Sequence, residues 1–354
     1  MLVSIADPIF QTQVFTVLFL IALAMTIRRR ASAGSFSVET TQELKGFAIV
    51  AILFAHVGYY LAADTRFLFP LSVLAGVGVD LFLFMSGFGL TASALARPLS
   101  PLNFYRKRLS KLYIPLWITL ALFFALDFLI LHKTYGLHYM LLSFAGLFSH
   151  ANLYADINSP LWYFTLILLY YLIFPWILSR KKPYLSAIGL YAASVALTLW
   201  NPWWLWSTLS LYEVHFMAFP LGMLAAWYAH GRQKIIEVRS TPMNYALLAF
   251  LASATAYFAI YSGVGKNHWI AEMYSVGTAA LIVAFFIIKR FEIRFFYLFG
   301  LISFEIYLLH WPILYRYDFL FKFLPASLAL SLYLGLFAGL GWILQQLIRR
   351  LDIL

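Results

Sequence analysis

The sequence predicts an all-α integral membrane protein of about eleven transmembrane helices, and three observations carry that prediction. The first is composition. Hydrophobic residues make up 63% of the chain and charged residues 11%, whereas soluble globular proteins carry about 25% charged residues. The second is that apolar runs of about twenty residues, the length that crosses a bilayer, recur from end to end with short polar connections. The third is where the charge sits. The net charge of +11 gathers at the ends of the apolar runs, which makes it a topology signal and argues against a nucleic-acid partner.

The segments lie near 10–28, 44–62, 73–96, 113–131, 162–179, 185–201, 209–229, 244–262, 270–288, 297–315 and 326–348. The first ends on Arg28-Arg29-Arg30, a stop-transfer flank. Ala22-Leu23-Ala24 offers a cleavage pattern, but no basic region precedes the run, so residues 1–30 read as a retained anchor helix. Residues 38–350 read as one multi-span domain. The second segment starts at Glu43-Leu44-Lys45 and carries His56 inside it, and the third carries Asp80. The fourth follows the basic run Arg106-Lys107-Arg108 and Lys111. Residues 132–161 form the longest connection, in which Tyr139 to Phe148 is apolar but too short to span, hence interfacial or re-entrant. The aromatic run Trp203-Trp204-Leu205-Trp206 reads as an interface belt.

Charge also orients the chain. With the N-terminus outside, Arg28–Arg30, Lys45, Arg97, Arg106–Arg108, Lys111, Arg180–Lys182, Arg232, Lys234, Arg239, Lys289, Arg290, Arg294, Arg349 and Arg350 fall inside, 20 of the 25 basic residues. Arg66, Lys133, Lys266, Arg316 and Lys322 fall outside. The C-terminus is then cytoplasmic. A miscounted span would scramble this segregation.

Ionisable groups inside a bilayer are costly, so each is a functional-site candidate. Lys45 and His56 are eleven positions apart, which places them within about 20° of one helix face and roughly 16 Å apart along the axis. Counted from the span ends, His56 and Asp80 lie about 10 Å below the outer boundary. Asp127, Glu213, His215, Glu272, Glu305 and His310 are expected in the same outer half, marking an outward-opening polar cavity. There two readings of Asp80 stand side by side: a hydrogen bond to His56 that fixes its tautomer as a general base, or a pairing with a structural partner. The run at Arg106–Lys111 suits phosphate binding through arginine, or plain membrane anchoring.

Familiar alternatives are missing. The chain has no cysteine, Walker A loop, dinucleotide glycine fingerprint or HExxH helix, and no metal site is expected. Ser86, in Ser86-Gly87-Phe88-Gly89, reads as a packing serine.

Five stretches together resemble the membrane acyltransferase-3 family. They are Lys45 and His56 in ELKGFAIVAILFAH, GVGVDLFLFMSGFGL from Gly76 to Leu90, and FYRKRLSKLYIP from Phe104 to Pro115. Leu161-Trp162-Tyr163 and SFEIYLLHWPI from Ser303 to Ile313 complete the set, in the family's order. Lys45 stands where arginine is commoner in the family. The resemblance implies a ten-helix core with one additional N-terminal helix, placed in a bacterial cytoplasmic (inner) membrane. It implies acyl transfer, most often acetyl, from a cytoplasmic acyl-CoA donor to a hydroxyl of a cell-surface polysaccharide or lipid-linked sugar. No bound cofactor is expected, since acetyl-CoA or another acyl-CoA is a substrate, and glycan-assembly proteins are possible partners.

On that expectation His56 is the base and Asp80 its orienter, while Lys45, Arg106 and Arg108 bind the donor. Trp162, Tyr163, Glu213, His215, Glu305, Tyr307 and His310 line the acceptor cavity or supply the oxyanion stabiliser, for which Tyr163, Tyr307 and His310 are the candidates. Direct transfer and a covalent acyl-histidine both remain open. Two other classes compete: a transporter using the outer acidic and histidine residues as a proton or solute pathway, and a non-catalytic membrane scaffold.

Overall fold

In a bilayer every backbone N–H and C=O must find a partner within the chain, and the helices of this protein follow its apolar runs closely. The computed structural model describes residues 2–30, 36–155, 157, 159–205, 207–230, 241–262 and 268–351. Trp206, Arg232, Lys234, Arg239 and Lys266 lie outside the described residues. In order the elements are α1 (Pro8–Met25), β1 (Ile27–Arg29), α2 (Val38–Ala55), α3 (Ala75–Ala96), α4 (Pro101–Leu131), α5 (Leu137–Phe144), α6 (Trp162–Ile177) and α7 (Pro183–Trp200). There follow α8 (Leu209–Glu213), α9 (Ala218–His230), α10 (Pro242–Tyr261), α11 (His268–Ile288), β2 (Phe291–Ile293), α12 (Arg294–Leu301), α13 (Ser303–Tyr315) and α14 (Ala326–Arg350).

Among the described residues nine helices are long and apolar enough to cross a membrane. The protein is an all-α integral membrane protein. Two of the segments expected as spans differ from a straight crossing helix. The sixteen-residue α6 is shorter, and residues 297–315 are a broken pair, α12 and α13, bent by 81°. The apolar pattern runs unbroken through that bend, so hydropathy alone reads it as one helix. Residues 209–229 are likewise divided between α8 and α9.

α2 is the most deeply buried of the candidate spans, and the other elements are arranged around it. Ser37 caps its start by accepting from the Thr40 N–H at 3.2 Å. Its closest neighbour is α12. A Cβ built on Gly46 would lie 1.8 Å from the Phe296 carbonyl oxygen, and one on Gly300 would lie 1.8 Å from the Gln42 carbonyl oxygen. The two backbones are therefore in contact, as small residues allow between membrane helices. Gly300→Ala forces them apart, because the obstacle is backbone rather than a movable side chain. The expected loss is about 3 kcal/mol or more, read as a lower thermal unfolding midpoint in detergent.

The Arg28–Arg30 flank is more than a charge marker. Ile27–Arg29 pairs antiparallel with Phe291–Ile293, in the register Ile27↔Ile293, Arg28↔Glu292 and Arg29↔Phe291. Once α1 ends, this pairing satisfies backbone groups that would otherwise lack partners. At the other end of α1, Thr12 Oγ1 accepts from Leu68 N–H at 2.8 Å and Gln11 Oε1 from Ser327 at 2.7 Å. The N-terminal helix is thus tied to the core at both ends.

Lys289, assigned to the inner side from charge, is fully buried and ion-paired with Glu43 of α2. The same Glu43 oxygen accepts from Ile293 N–H at 2.7 Å, and Lys289 also donates to the Phe291 carbonyl at 2.8 Å. A second buried cluster centres on Asp127, which pairs with Arg316 and accepts from Tyr135 and from Tyr317 at 2.6 Å. Finally, the run Arg106–Lys111, read from sequence as preceding a span, is helical as the first turns of α4.

Candidate active site

The α-helical hydrogen bonding of α2 ends at Ala55, and His56–Leu61 continues as a π-helical segment. Its widened turn is seen where the Ala62 N–H donates to the Val57 carbonyl at 2.9 Å. Such segments occur mostly as single turns and often at functional sites. Here the change of winding begins at the histidine.

α13 approaches this segment after its 81° departure from α12. His56 Nδ1 lies 2.8 Å from His310 Nε2. The ring planes are 17° apart with centroids at 4.9 Å, the geometry of rings meeting edge to edge through nitrogen. His310 Nδ1 lies 2.8 Å from the Tyr307 carbonyl and 3.2 Å from that of Ile306. Carbonyl oxygens only accept, so His310 Nδ1 carries a proton and, in a neutral ring, its Nε2 is a lone pair. His56 Nδ1 must then be the donor between the rings. That leaves His56 Nε2 as the basic lone pair.

Asp80 is not the partner expected for His56. Its carboxylate accepts from His215 Nδ1 at 2.7 Å and from the Ser275 hydroxyl. The reason lies in helix register. A Cβ on Gly78 would sit 2.8 Å from the Ala48 carbonyl and 3.0 Å from Ile52, so α3 meets α2 well on the Lys45 side of His56. Counting residues from span ends had put Asp80 and His56 at equal depth. The stretch from Ala62 to Leu74, which is not one continuous helix, shifts the register between them.

One cavity of about 790 Å³ unites most of the candidate residues. At the α2 start it is lined by Gln42, Lys45, Ser86, Lys111, Gln345 and Arg349, and farther along by Trp162 and His215, with Tyr163 also in its wall. His56, Tyr60, Ala151 and Leu153 line the far end. The cavity therefore follows α2 from Lys45 to beyond His56, and is not the purely outer cavity expected. Glu305 also departs from expectation. It lines the cavity in the first turn of α13 beside Gln345 and Arg349, at the Lys45 end. The 81° bend carries it there. Glu213 is half-buried and is not among the lining residues.

The donor-side candidates separate in the same way. Lys45 lines the cavity, with Arg108 and Lys111 near enough to add to the positive field around it. Arg106 is exposed on α4 and does not line it. Lys111 and Arg349 do. The sequence marked both as membrane-flanking charges, because their convergence needs α4 and α14 to meet near α2.

The oxyanion candidates are also resolved by their partners. Tyr307 donates its hydroxyl proton to the Pro160 carbonyl at 2.5 Å, and both nitrogens of His310 are engaged. Tyr163 lines the cavity beside Ser86, its ring meeting that of Tyr307 edge to face at 5.6 Å. Trp162 lies nearly parallel to the His215 ring, 17° apart with centroids at 5.7 Å.

Neither a curated protein nor a solved structure matches the chain. A family model described as an acyltransferase domain matches residues 44–345, from within α2 into α14, and so takes in most of the cavity wall, with Gln42, Ile348 and Arg349 just outside it. The chain belongs to the acyltransferase-3 family and is a membrane acyltransferase.

Proposed function

We propose that the protein is an O-acyltransferase, moving an acyl group, most often acetyl, from acyl-CoA to a hydroxyl of a cell-surface polysaccharide or lipid-linked sugar. The observation that carries this reading is the single cavity joining a cationic end to a histidine whose free nitrogen is basic. A donor bearing phosphates suits the end lined by Lys45, Lys111 and Arg349, because cations there hold phosphate oxygens by charge-assisted hydrogen bonds. With the charge-based orientation, that end faces the cytoplasm, of a bacterial inner membrane on this reading. The pantetheine arm then carries the thioester inward along α2.

His56 Nε2 removes the proton of the acceptor hydroxyl as its oxygen attacks the thioester carbonyl. His310 acts through His56, holding the ring's other nitrogen as a donor. Tyr163, an oxyanion candidate that lines the cavity, steadies the developing oxyanion. Tyr60, which lines the cavity with its ring centroid 5.8 Å from that of His56, offers an apolar face for a sugar ring.

Purified protein incubated with labelled acetyl-CoA and a saccharide acceptor is expected to transfer label to the saccharide; retention of all label on acetyl-CoA or free acetate sinks the reading. The donor end gives a second expectation. Lys111→Ala with Arg349→Ala raises the acyl-CoA dissociation constant by about tenfold or more, and added salt weakens wild-type binding. Arg106→Ala alone has a smaller effect. Titration of immobilised protein with acyl-CoA measures both.

A further inference from the structure

Two imidazoles face the cavity, and only one is used above. His215 follows the short helix α8 and reaches the cavity wall with 6% of its side chain exposed. Its Nδ1 is bound to Asp80 Oδ1 at 2.7 Å, and the other carboxylate oxygen is held by Ser275 of α11. Among the described residues no other cation pairs with Asp80. A buried carboxylate without a counter-charge is strongly unfavourable, and the two arrangements that leave no bare charge, carboxylate with imidazolium and carboxyl with neutral imidazole, agree on the far side of the ring. The ring's second nitrogen, Nε2, then carries a proton and is the one left for the cavity. The other titratable groups around it are Glu272 on α11, which accepts from Met217 N–H at 2.8 Å, Tyr170 on α6, and its chain neighbours Tyr212 and Glu213.

The two histidines are held oppositely. His56 is backed by a neutral imidazole and offers a lone pair, whereas His215 is backed by a carboxylate and offers a proton. They also stand at different depths. A Cβ on Gly76 would lie 3.6 Å from His215 Cε1, and Gly76 is two residues from Gly78, which packs against Ala48 and Ile52. His215 is therefore near the level of Ile52, four residues or about 6 Å along α2 on the Lys45 side of His56. A thioester arriving from the Lys45 end presents sulfur on the near side of its carbonyl carbon and meets the acceptor oxygen on the far side. Sulfur thus falls on the His215 side.

We propose that His215, held by Asp80, is the acid that delivers a proton to the departing sulfur. The inference rests on the acyl-transfer reading above. The acceptor O–H bond breaks as the C–O bond forms, and that proton goes to His56 Nε2. The C–S bond breaks with its electron pair remaining on sulfur, which takes the proton from His215 Nε2. One proton then passes from His56 back to His215 through the cavity, restoring both rings and leaving ester and free thiol. A free thiolate left in a largely apolar cavity would be poorly solvated, and protonation removes that charge as it forms.

The decisive measurement is dependence on the leaving group. With acetyl-CoA, His215→Gln is expected to lose about 10²–10⁴-fold in kcat. With 4-nitrophenyl thioacetate, whose thiolate leaves without a proton, the same variant should lose less than about fivefold. Asp80→Asn, which keeps the shape of the pair and removes its charge, should follow the same pattern and serves if the glutamine variant does not fold. With acetyl-CoA alone, added imidazole should restore His215→Ala at least tenfold. Equal losses for the two donors, a loss below threefold with acetyl-CoA, or no recovery with imidazole overturns the proposal. Wild-type protein that transfers from neither donor counts against the acyltransferase chemistry proposed above, and not against the role of His215 within it.

Discussion

His56→Ala is expected to abolish acyl transfer while leaving the protein folded, with kcat/KM falling by about 10²–10⁴-fold or more. The size follows from what the ring does. An alcohol must lose its proton to become a competent nucleophile, and along this cavity the nitrogen left with a free lone pair in the His56–His310 pair is His56 Nε2. Folding should survive because His56 is partly open to the cavity and lies outside the backbone contact between α2 and α12. His310→Ala provides the graded comparison. It removes the acceptor for His56 Nδ1–H without removing the base, so activity falls by a smaller factor, mainly in kcat. Rates with labelled acetyl-CoA and saccharide, together with thermal unfolding of each variant, check both. Full transfer by His56→Ala would eliminate the general-base mechanism.

Lys289→Ala is expected to be the most destabilising charge removal at the Glu43 site, by about 3–5 kcal/mol. Both side chains of the Glu43–Lys289 pair are completely buried. Removing the lysine leaves Glu43 with Ile293 N–H at 2.7 Å and, among the described residues, without an ion-pair partner. It also removes the ammonium from the faces of Phe286 and Phe291, 4.6 and 4.9 Å from their centroids. The double replacement Glu43→Leu with Lys289→Met is expected to recover most of this loss, since a well-packed apolar pair avoids the desolvation of two charges. Unfolding midpoints in one detergent test the order: wild type and double variant close together, single variant far below. A single variant as stable as wild type would show that Glu43 finds another partner.

Much of the fold was legible in the chain because lipid imposes a simple rule. Apolar runs of about twenty residues become helices, as nothing else satisfies the backbone there. The helices match the predicted runs within a few residues, apart from the early starts of α2 at Val38 and α4 at Pro101 and the breaks inside 209–229 and 297–315. The position of His56 in a cavity wall shared with Lys45 was foreshadowed too, because a histidine within an apolar helix is costly and the spacing from Lys45 was readable.

Pairings were less legible. Depth counted from span ends put Asp80 beside His56 and Glu305 in the same half as His310. Yet Asp80 belongs to His215, and Glu305 lies near Arg349. Each error has the same origin: hydropathy reports whether a segment is apolar, without its bend, its register against a neighbour, or the direction of a side chain.

The sequence by itself determined the class of the molecule, the order of its helices, and which ionisable residues enter apolar surroundings. These depend on composition and spacing along one chain. Tertiary structure alone decided that His56 meets His310, that Asp80 holds His215, and that Lys45, Lys111 and Arg349 line the same cavity. Those relations join residues up to 304 positions apart, Lys45 to Arg349. They are set by backbone contact at Gly46 and Gly300 and by the 81° turn between α12 and α13. Local propensity carries no term for either, because each exists only once two helices have packed.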